Sequence, residues 1–272
     1  MDNNQKIASL IFAAGKGSRM KDYNGNKTLL PLVPEADDVY KGEKPILLNI
    51  IEKLPQGPKA LVVNHKKDDV IKATKAYGLS YYEQPELNGT GGAMLAAADF
   101  IKNEDYKYLL VTMGDTPLVN ASTFRKLVDA LSDHHLSVLG FCPEDKKKYG
   151  VLDIEDNKVR RIIEWKYWSQ FPASEQERLN VCNGGIYAIQ KEALLKYIEL
   201  LSAQPHIVIK EREGRKVEIK EYFITDMLEM MYNDGLKTGY VTAGDENEVM
   251  GVDDVESLKK AQEIFRKTVT GN

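Results

Sequence analysis

Residues 7–14, Ile-Ala-Ser-Leu-Ile-Phe-Ala-Ala, contain one polar side chain and stop at a glycine turn, Gly15-Lys-Gly-Ser-Arg-Met. A run this short and this apolar reads as a strand covered on both faces, and such strands belong to parallel sheets flanked by helices. Ala60-Leu-Val-Val and Tyr108-Leu-Leu-Val repeat the pattern. Strands are expected at 7–14, 60–64, 79–82, 107–113 and 136–142, with helices at 46–54, 67–77, 91–102 and 121–132. That alternation gives βαβ units. After residue 148 the rhythm changes. Segments 149–154 and 158–164 read as a hairpin around Glu155-Asp156-Asn157. A strand at 181–189 and a helix at 191–202 follow. Residues 206–220 are polar and unassigned. A helix near 223–234, a strand near 237–243 and a last helix at about 254–267 complete the chain. No repeat or linker interrupts it, so residues 1–272 read as a single domain with halves at about 1–118 and 119–252.

Composition narrows the partners. Of 272 residues, 29% are charged and the net charge is −4, which argues against nonspecific binding to nucleic acid or acidic membranes. An anionic substrate must then be held by a local basic cluster or a metal. Cys142 and Cys182 each lie in apolar segments and read as buried free thiols. The first apolar run has no basic region before it and is too short to span a bilayer. A soluble cytoplasmic protein without a membrane partner is expected. His65, His134, His135 and His206 show no ligand spacing.

In open parallel sheets ligands bind beyond the carboxyl ends of the strands. That edge should hold 15–27, Asn64-His65, 84–92 and 114–117. Gly15 and Gly17 allow a sharp turn whose backbone N–H groups form an anion cradle, to which Lys16 and Arg19 add charge. A dinucleotide fingerprint would need a third glycine where Met20 stands. A P-loop would need Gly-Lys-Ser/Thr after a four-residue gap. The remaining basic version suits a nucleoside triphosphate. Asp115, in Gly114-Asp-Thr-Pro117, is a turn former or a hard oxygen ligand for Mg2+. In Gly251-Val-Asp253-Asp254 one aspartate can cap the last helix and the other ligate. Gln84, five residues before Gly89-Thr90-Gly91-Gly92, offers a donor and an acceptor to a nucleobase edge, or simply sits in a loop. Glu164-Trp-Lys166 ends the hairpin, as a surface ion pair by default. The glycines of Asn183-Gly184-Gly185 signal a bulge or the close approach of a ligand.

Taken in order, these motifs resemble the sugar-1-phosphate nucleotidyltransferases, and among them the uridylyltransferase domain of the bacterial N-acetylglucosamine-1-phosphate uridylyltransferases. The similarity runs from Ala13-Ala14-Gly15-Lys16-Gly17-Ser18-Arg19-Met20 and Lys27, through Gln84 to Asn88-Gly-Thr-Gly91, and on to Gly114-Asp-Thr-Pro-Leu118. Tyr149-Gly150, Glu164-Trp-Lys166, Asn183-Gly-Gly-Ile186, Glu221-Tyr-Phe-Ile-Thr-Asp226 and Gly251-Val-Asp253 continue it. The resemblance implies an α/β, Rossmann-like three-layer nucleotidyltransferase fold with a mixed, mostly parallel central sheet. It implies a first half that binds UTP and a second that binds a sugar 1-phosphate. Arg19 and Lys27 would act on the phosphates, with Lys166 near the sugar phosphate. Residues 13–18, Gln84, Gly89 and Thr90 would bind the nucleotide. Gly150, Glu164, Asn183 and Thr225 would line the sugar pocket, and Asp115 and Asp253 would bind Mg2+.

Departures from the pattern set further expectations. Asn26 stands where the family often has proline. The stretch from Pro34 to Gly42 looks inserted. Gly184 replaces a frequent threonine and suggests a looser sugar pocket. Asp253 replaces the usual asparagine of the uridylyltransferases, while related thymidylyltransferases carry aspartate. An acetyltransferase β-helix half is not expected. Two other functions stay open: the same reaction on another phosphate ester or with another nucleotide, and a sugar-nucleotide-binding regulator.

Overall fold

The computed structural model describes residues 6–17, 19–20, 23–212 and 215–270. Its strands are β1 (Ile7–Ala13), β2 (Pro31–Glu35), β3 (Asp38–Pro45), β4 (Lys59–Val63), β5 (Ser80–Glu83), β6 (Tyr108–Met113), β7 (Leu136–Phe141), β8 (Val151–Glu155), β9 (Lys158–Ile163), β10 (Cys182–Gln190), β11 (His206–Arg212), β12 (Arg215–Glu221) and β13 (Thr238–Thr242). Its helices are α1 (Ile46–Lys53), α2 (Lys67–Thr74), α3 (Gly89–Ala96), α4 (Ala98–Asn103), α5 (Ala121–Asp129), α6 (Trp165–Trp168), α7 (Ala173–Arg178), α8 (Lys191–Ala203), α9 (Ile224–Asn233) and α10 (Val255–Thr270).

The main sheet runs in the order β13-β7-β10-β6-β1-β4-β5. β1 pairs in parallel with β4 and β6, β4 with β5, and β7 with β13. β10 lies antiparallel between β6 and β7, which makes the sheet mixed and joins the two halves of the chain. The β8–β9 hairpin attaches to β10 through Cys182 opposite Val151. Asp156 and Asn157 turn it with φ of 48° and 63°, a pairing that hairpin loops favour in those residue types.

Alternate residues of the fully buried β1 feed two cores. Ile11, Leu61 and Leu110 pack with Ile46, Leu47 and Ile50 of α1 and Phe124 of α5. Leu10, Val62 and Leu109 pack with Met94 of α3, Phe100 of α4, Tyr197 of α8 and Met227 of α9. Helices therefore cover both faces, and the expected three layers are present.

Five expectations change. The helix at 91–102 is broken at Ala97, where φ and ψ leave helical values, and restarts as α4. The last helix extends to Thr270. The polar stretch 206–220 is the β11–β12 hairpin, with His206 opposite Glu221 and Arg212 opposite Arg215. The 34–42 stretch lies in a second hairpin, β2–β3, clamped by Gln262 of α10, whose amide donates to the carbonyls of Pro31 and Val39, each at 2.9 Å. Both cysteines are free, but Cys142 is exposed because it lies just past the end of β7, while Cys182 is buried. No helix among the described residues is long and apolar enough to cross a membrane.

Candidate active site

At the carboxyl edge of β1, β5 and β6 lies a cavity of about 700 Å³. Ala13, Ala14 and Gly15 line it after β1, Gln84, Gly89 and Thr90 after β5, and Asp115 after β6. Glu164, Asn183, Thr225 and Asp253 line it from the second half. Asn64 and His65, at the same edge, have structural roles instead. Asn64 Nδ2 donates to the Gln84 carbonyl at 2.7 Å, and the His65 carbonyl accepts from Asn26 Nδ2 at 2.7 Å.

The glycine turn closes through Met20 N–H, which donates to the Gly17 carbonyl at 2.9 Å. Gly17 takes φ of +61°, and a β-carbon there would lie 3.2 Å from Lys27 Cβ, so the turn rests on the lysine stem. Lys27 begins a single 3-10 turn. Asn26 caps that turn: its Oδ1 accepts from the Thr28 N–H at 3.0 Å and from the Thr28 hydroxyl at 2.8 Å. Asn26 is 1% exposed and ties the Lys27 turn to the segment after β4. This is the physical content of the departure from proline.

Lys27 carries its ammonium between two carboxylates, 2.5 Å from Asp115 Oδ2 and 2.7 Å from Asp253 Oδ1. Arg19 Nη1 lies 3.3 Å from the other oxygen of Asp253. The aspartates are far apart in sequence. They meet because Val252 N–H donates to the Asp115 carbonyl at 2.8 Å. Burial lowers the Lys27 pKa, but the two carboxylates outweigh it and hold the ammonium above its ordinary value. Asp254 takes the capping role. Its Oδ1 accepts from Ser257 N–H at 2.8 Å, and that bond holds its carboxyl below the usual range. Asp253 is left for the site.

The donor set fits Mg2+. Two hard carboxylates converge on one point already occupied by a cation. Among the described residues no group of three or more His, Cys, Asp or Glu side chains gathers at one place. A divalent cation there would complete its shell with water and substrate oxygens, as Mg2+ does on phosphates. Lys16 and Arg19 are exposed and, with Gly17, lie outside the cavity lining. Ser18 lies outside the described residues.

Gln84 is buried, and its amide nitrogen donates to Asn88 Oδ1 at 2.9 Å and to the Gly89 carbonyl at 3.1 Å. Both amide hydrogens are thus committed within the protein, and the donor expected to face a base is not available. The side-chain oxygen has no partner among the described residues, so Gln84 presents an acceptor. Gly89 has φ of +94°, and a β-carbon there would lie 2.3 Å from the Tyr222 carbonyl oxygen. Gly91 N–H donates to that same oxygen at 2.8 Å. The Thr90 hydroxyl accepts from Ile224 N–H at 3.2 Å, at the start of α9.

In the second half, Glu164 follows β9 and precedes α6. It is exposed at the cavity rim, yet the surrounding protein raises its carboxyl above the usual range, with Lys166 acting in the opposite sense. A β-carbon at Gly150 would lie 3.6 Å from both Glu164 oxygens, so Gly150 borders the carboxylate without lining the cavity. Lys166 is exposed, lies over the Tyr167 ring at 4.7 Å, and is not part of the lining. Asn183 begins a bulge in β10. Its Oδ1 accepts from Gly185 N–H at 2.9 Å, and its Nδ2 donates to the Tyr187 hydroxyl at 3.0 Å. Burial pushes the Tyr187 hydroxyl well above its ordinary pKa. Gly184 does not widen the cavity: a β-carbon there would lie 2.8 Å from the Leu139 carbonyl oxygen and 3.0 Å from Val249 Cγ1. Tyr187 and Glu221 line the cavity and were not singled out by sequence, although Glu221 opens one of the recognised motifs.

The chain has counterparts among known proteins. A family model described as a MobA-like NTP transferase domain matches residues 9–213. The chain belongs to that family. Among curated proteins, the bifunctional protein GlmU of Sulfurimonas denitrificans is 32% identical over 274 residues, covering 98% of this chain and 55% of that protein. GlmU of Brucella anthropi is 29% identical, covering 95% and 52%. The chain thus spans about half the length of the curated relatives it matches. Among solved structures, the uridine diphosphate N-acetylglucosamine pyrophosphorylase of Trypanosoma brucei superposes with a TM-score of 0.71 at 12% identity, over 94% of this chain and 64% of that one. A nucleotidyl transferase from Methanothermobacter gives 0.61 at 18% identity, over 97% and 99%. These neighbours share the Rossmann-like nucleotidyltransferase fold, and the likeness to sugar-phosphate nucleotidyltransferases read from the motifs is borne out.

Proposed function

We propose that this protein transfers a uridylyl group from UTP to N-acetylglucosamine 1-phosphate, releasing pyrophosphate. The observation that carries the reading is one cavity lined both by the strand-end phosphate turn and by Glu164, Asn183 and Thr225, with Lys27, Asp115 and Asp253 meeting in it. A phosphate oxygen of the sugar phosphate attacks the α-phosphorus of UTP, and the bond to the bridging oxygen of pyrophosphate breaks. No protein nucleophile is required. The residues act by in-line positioning and by charge compensation.

Lys27, Arg19 and the amides of the glycine turn stabilise negative charge on the departing pyrophosphate. Mg2+ held by Asp115 and Asp253 would supply neutralisation of the phosphate oxygens of both substrates. The Gln84 oxygen accepts from uracil N3–H, whereas cytosine presents an acceptor at that position. A site built on such a bond rejects the mismatch strongly. Thymine shares the pairing edge of uracil, so dTTP is the second choice. Glu164 and Asn183 hydrogen-bond the sugar substituents.

Pyrophosphate release measured over a grid of UTP, dTTP, CTP, ATP and GTP against N-acetylglucosamine and glucose 1-phosphates tests the proposal. UTP with N-acetylglucosamine 1-phosphate should give the highest kcat/KM. Higher kcat/KM with glucose 1-phosphate rejects the sugar assignment. Turnover with no sugar phosphate, alongside tight UTP binding, rejects the enzyme assignment.

A further inference from the structure

The Lys27 ammonium sits between the carboxylates of Asp115 and Asp253, where a divalent cation would bind. We infer that Lys27 is the resident counter-ion of this site and that a metal enters it only as a nucleotide draws the ammonium away. The inference rests on the metal assignment made above.

The geometry leaves little alternative for the free protein. Lys27 is 11% exposed and Asp115 16%, so water compensates neither charge fully. Each carboxylate bonds the same nitrogen, and the Val252-to-Asp115 backbone bond keeps them together. Arg19 adds positive charge on the far oxygen of Asp253. A metal approaching the free protein must therefore displace an ammonium already compensated by two carboxylates, and it gains little. A triphosphate offers that ammonium a new anionic partner. Gly15 and Gly17 lie along the Lys27 side chain, at 3.9 Å from Cε and 3.2 Å from Cβ for their ideal β-carbons, so the lysine reaches the phosphate turn from where it stands. Once the ammonium turns to the phosphates, both carboxylates are released together. Metal and nucleotide then bind with positive coupling, and Lys27 is the positioning residue that sets it. By linkage the coupling is reciprocal.

Manganese is the probe, with its binding to the nucleotide-free protein followed by electron paramagnetic resonance and calorimetry. Lys27→Gln removes the charge and keeps an amide donor on a side chain one atom shorter. It should bind Mn2+ at least about tenfold more tightly than the unmodified protein, within the usual span for coupled sites. Lys27→Met should do the same, and Lys27→Arg, which keeps the cation, should bind as weakly as the parent. Adding Asp115→Asn to Lys27→Gln should abolish the gain. Mn2+ binding to Lys27→Gln that is no tighter than to the parent overturns the inference, as does a gain that survives Asp115→Asn. These outcomes are separate from the fate of the proposed reaction. Turnover of UTP with no gain in Lys27→Gln sinks the gating role alone. The gain without turnover on any substrate pair sinks the reaction alone.

Discussion

Asn26 is the residue on which the placement of Lys27 depends most directly, and Asn26→Ala tests that dependence. The side chain is 1% exposed and makes three hydrogen bonds: from Thr28 N–H at 3.0 Å, from the Thr28 hydroxyl at 2.8 Å, and to the His65 carbonyl at 2.7 Å. Removing an N-cap of this kind costs about 0.5–2 kcal/mol. Leaving the His65 carbonyl without its buried partner adds about 1–3 kcal/mol. The bond from the Thr28 hydroxyl is left out of the sum. The expected destabilisation is about 1.5–4 kcal/mol, since the two contributions overlap in one side chain. It is read as a shift of the denaturant midpoint with an unchanged slope. Because Lys27 is the next residue, a loosened turn should also lower kcat, by roughly a hundredfold if the ammonium moves by about an ångström. Asn26→Pro is the informative companion. Asn26 has φ of −84°, close to what proline allows, so the backbone is retained and only the side-chain bonds are lost. It should fall between the parent and the alanine variant in stability, since proline restricts the unfolded chain. A loss below about 1 kcal/mol in Asn26→Ala, with unchanged kcat, would refute the argument that these bonds set the lysine.

Three further outcomes are expected. Gly184→Thr should destabilise by about 1–3 kcal/mol through overpacking against Leu139 and Val249, with no gain in selectivity between N-acetylglucosamine and glucose 1-phosphates; the same two assays decide both points. Asp115→Ala should cut kcat more than about a hundredfold in saturating Mg2+. It should also cost about 1–3 kcal/mol by urea unfolding, less than for a fully broken buried pair because Asp253 still holds Lys27. Desolvation by the surrounding protein raises the Glu164 carboxyl, so this group favours the folded state most at low pH and loses that contribution as pH rises through its folded value. For the same reason KM for the sugar phosphate should climb as pH falls while still above the usual carboxylate range. Glu164→Gln, followed over the same pH series, should show no such added rise.

The parallel strands were legible because burial on both faces leaves an unmistakable apolar run, as in β1, β4 and β6. The hairpins β2–β3 and β11–β12 were not legible, and the reason differs between them. In β2–β3 the prolines Pro31 and Pro34 and the acidic turn read as loop, yet an edge strand tolerates proline and Gln262 supplies the missing anchor from more than two hundred residues away. In β11–β12 Ile207, Ile209 and Val217 remain exposed while Ile219 is buried, so core burial imprints almost no period on the sequence. The pairing of Asp115 with Asp253 was legible only through family resemblance, because what joins them is a backbone bond that no side-chain pattern encodes.

Glycine shows where reading a site from sequence reaches its limit. Gly89 was read as part of the nucleotide site and Gly184 as looseness in the sugar pocket, and Gly91 lies two residues from the first. In each case the nearest atom to a β-carbon would be backbone of this chain: Tyr222 for Gly89 and Gly91, and Leu139 for Gly184. A glycine in a strand-end loop reports that something approaches closely; it does not report what. At Gly17 the approaching group is the Lys27 stem, and there the two readings coincide, because the lysine is itself part of the proposed phosphate site. Gln84 follows the same logic in polar terms. A carboxamide offers both signs of hydrogen bond, and the fold removes one by committing the nitrogen to Asn88 and Gly89. What remains is a single acceptor on a residue that lines the cavity. The specificity proposed for uracil thus comes from the loop that holds Gln84, and a variant that freed one of the two amide hydrogens, such as Asn88→Ala, should relax the discrimination between UTP and CTP while leaving turnover of UTP largely intact.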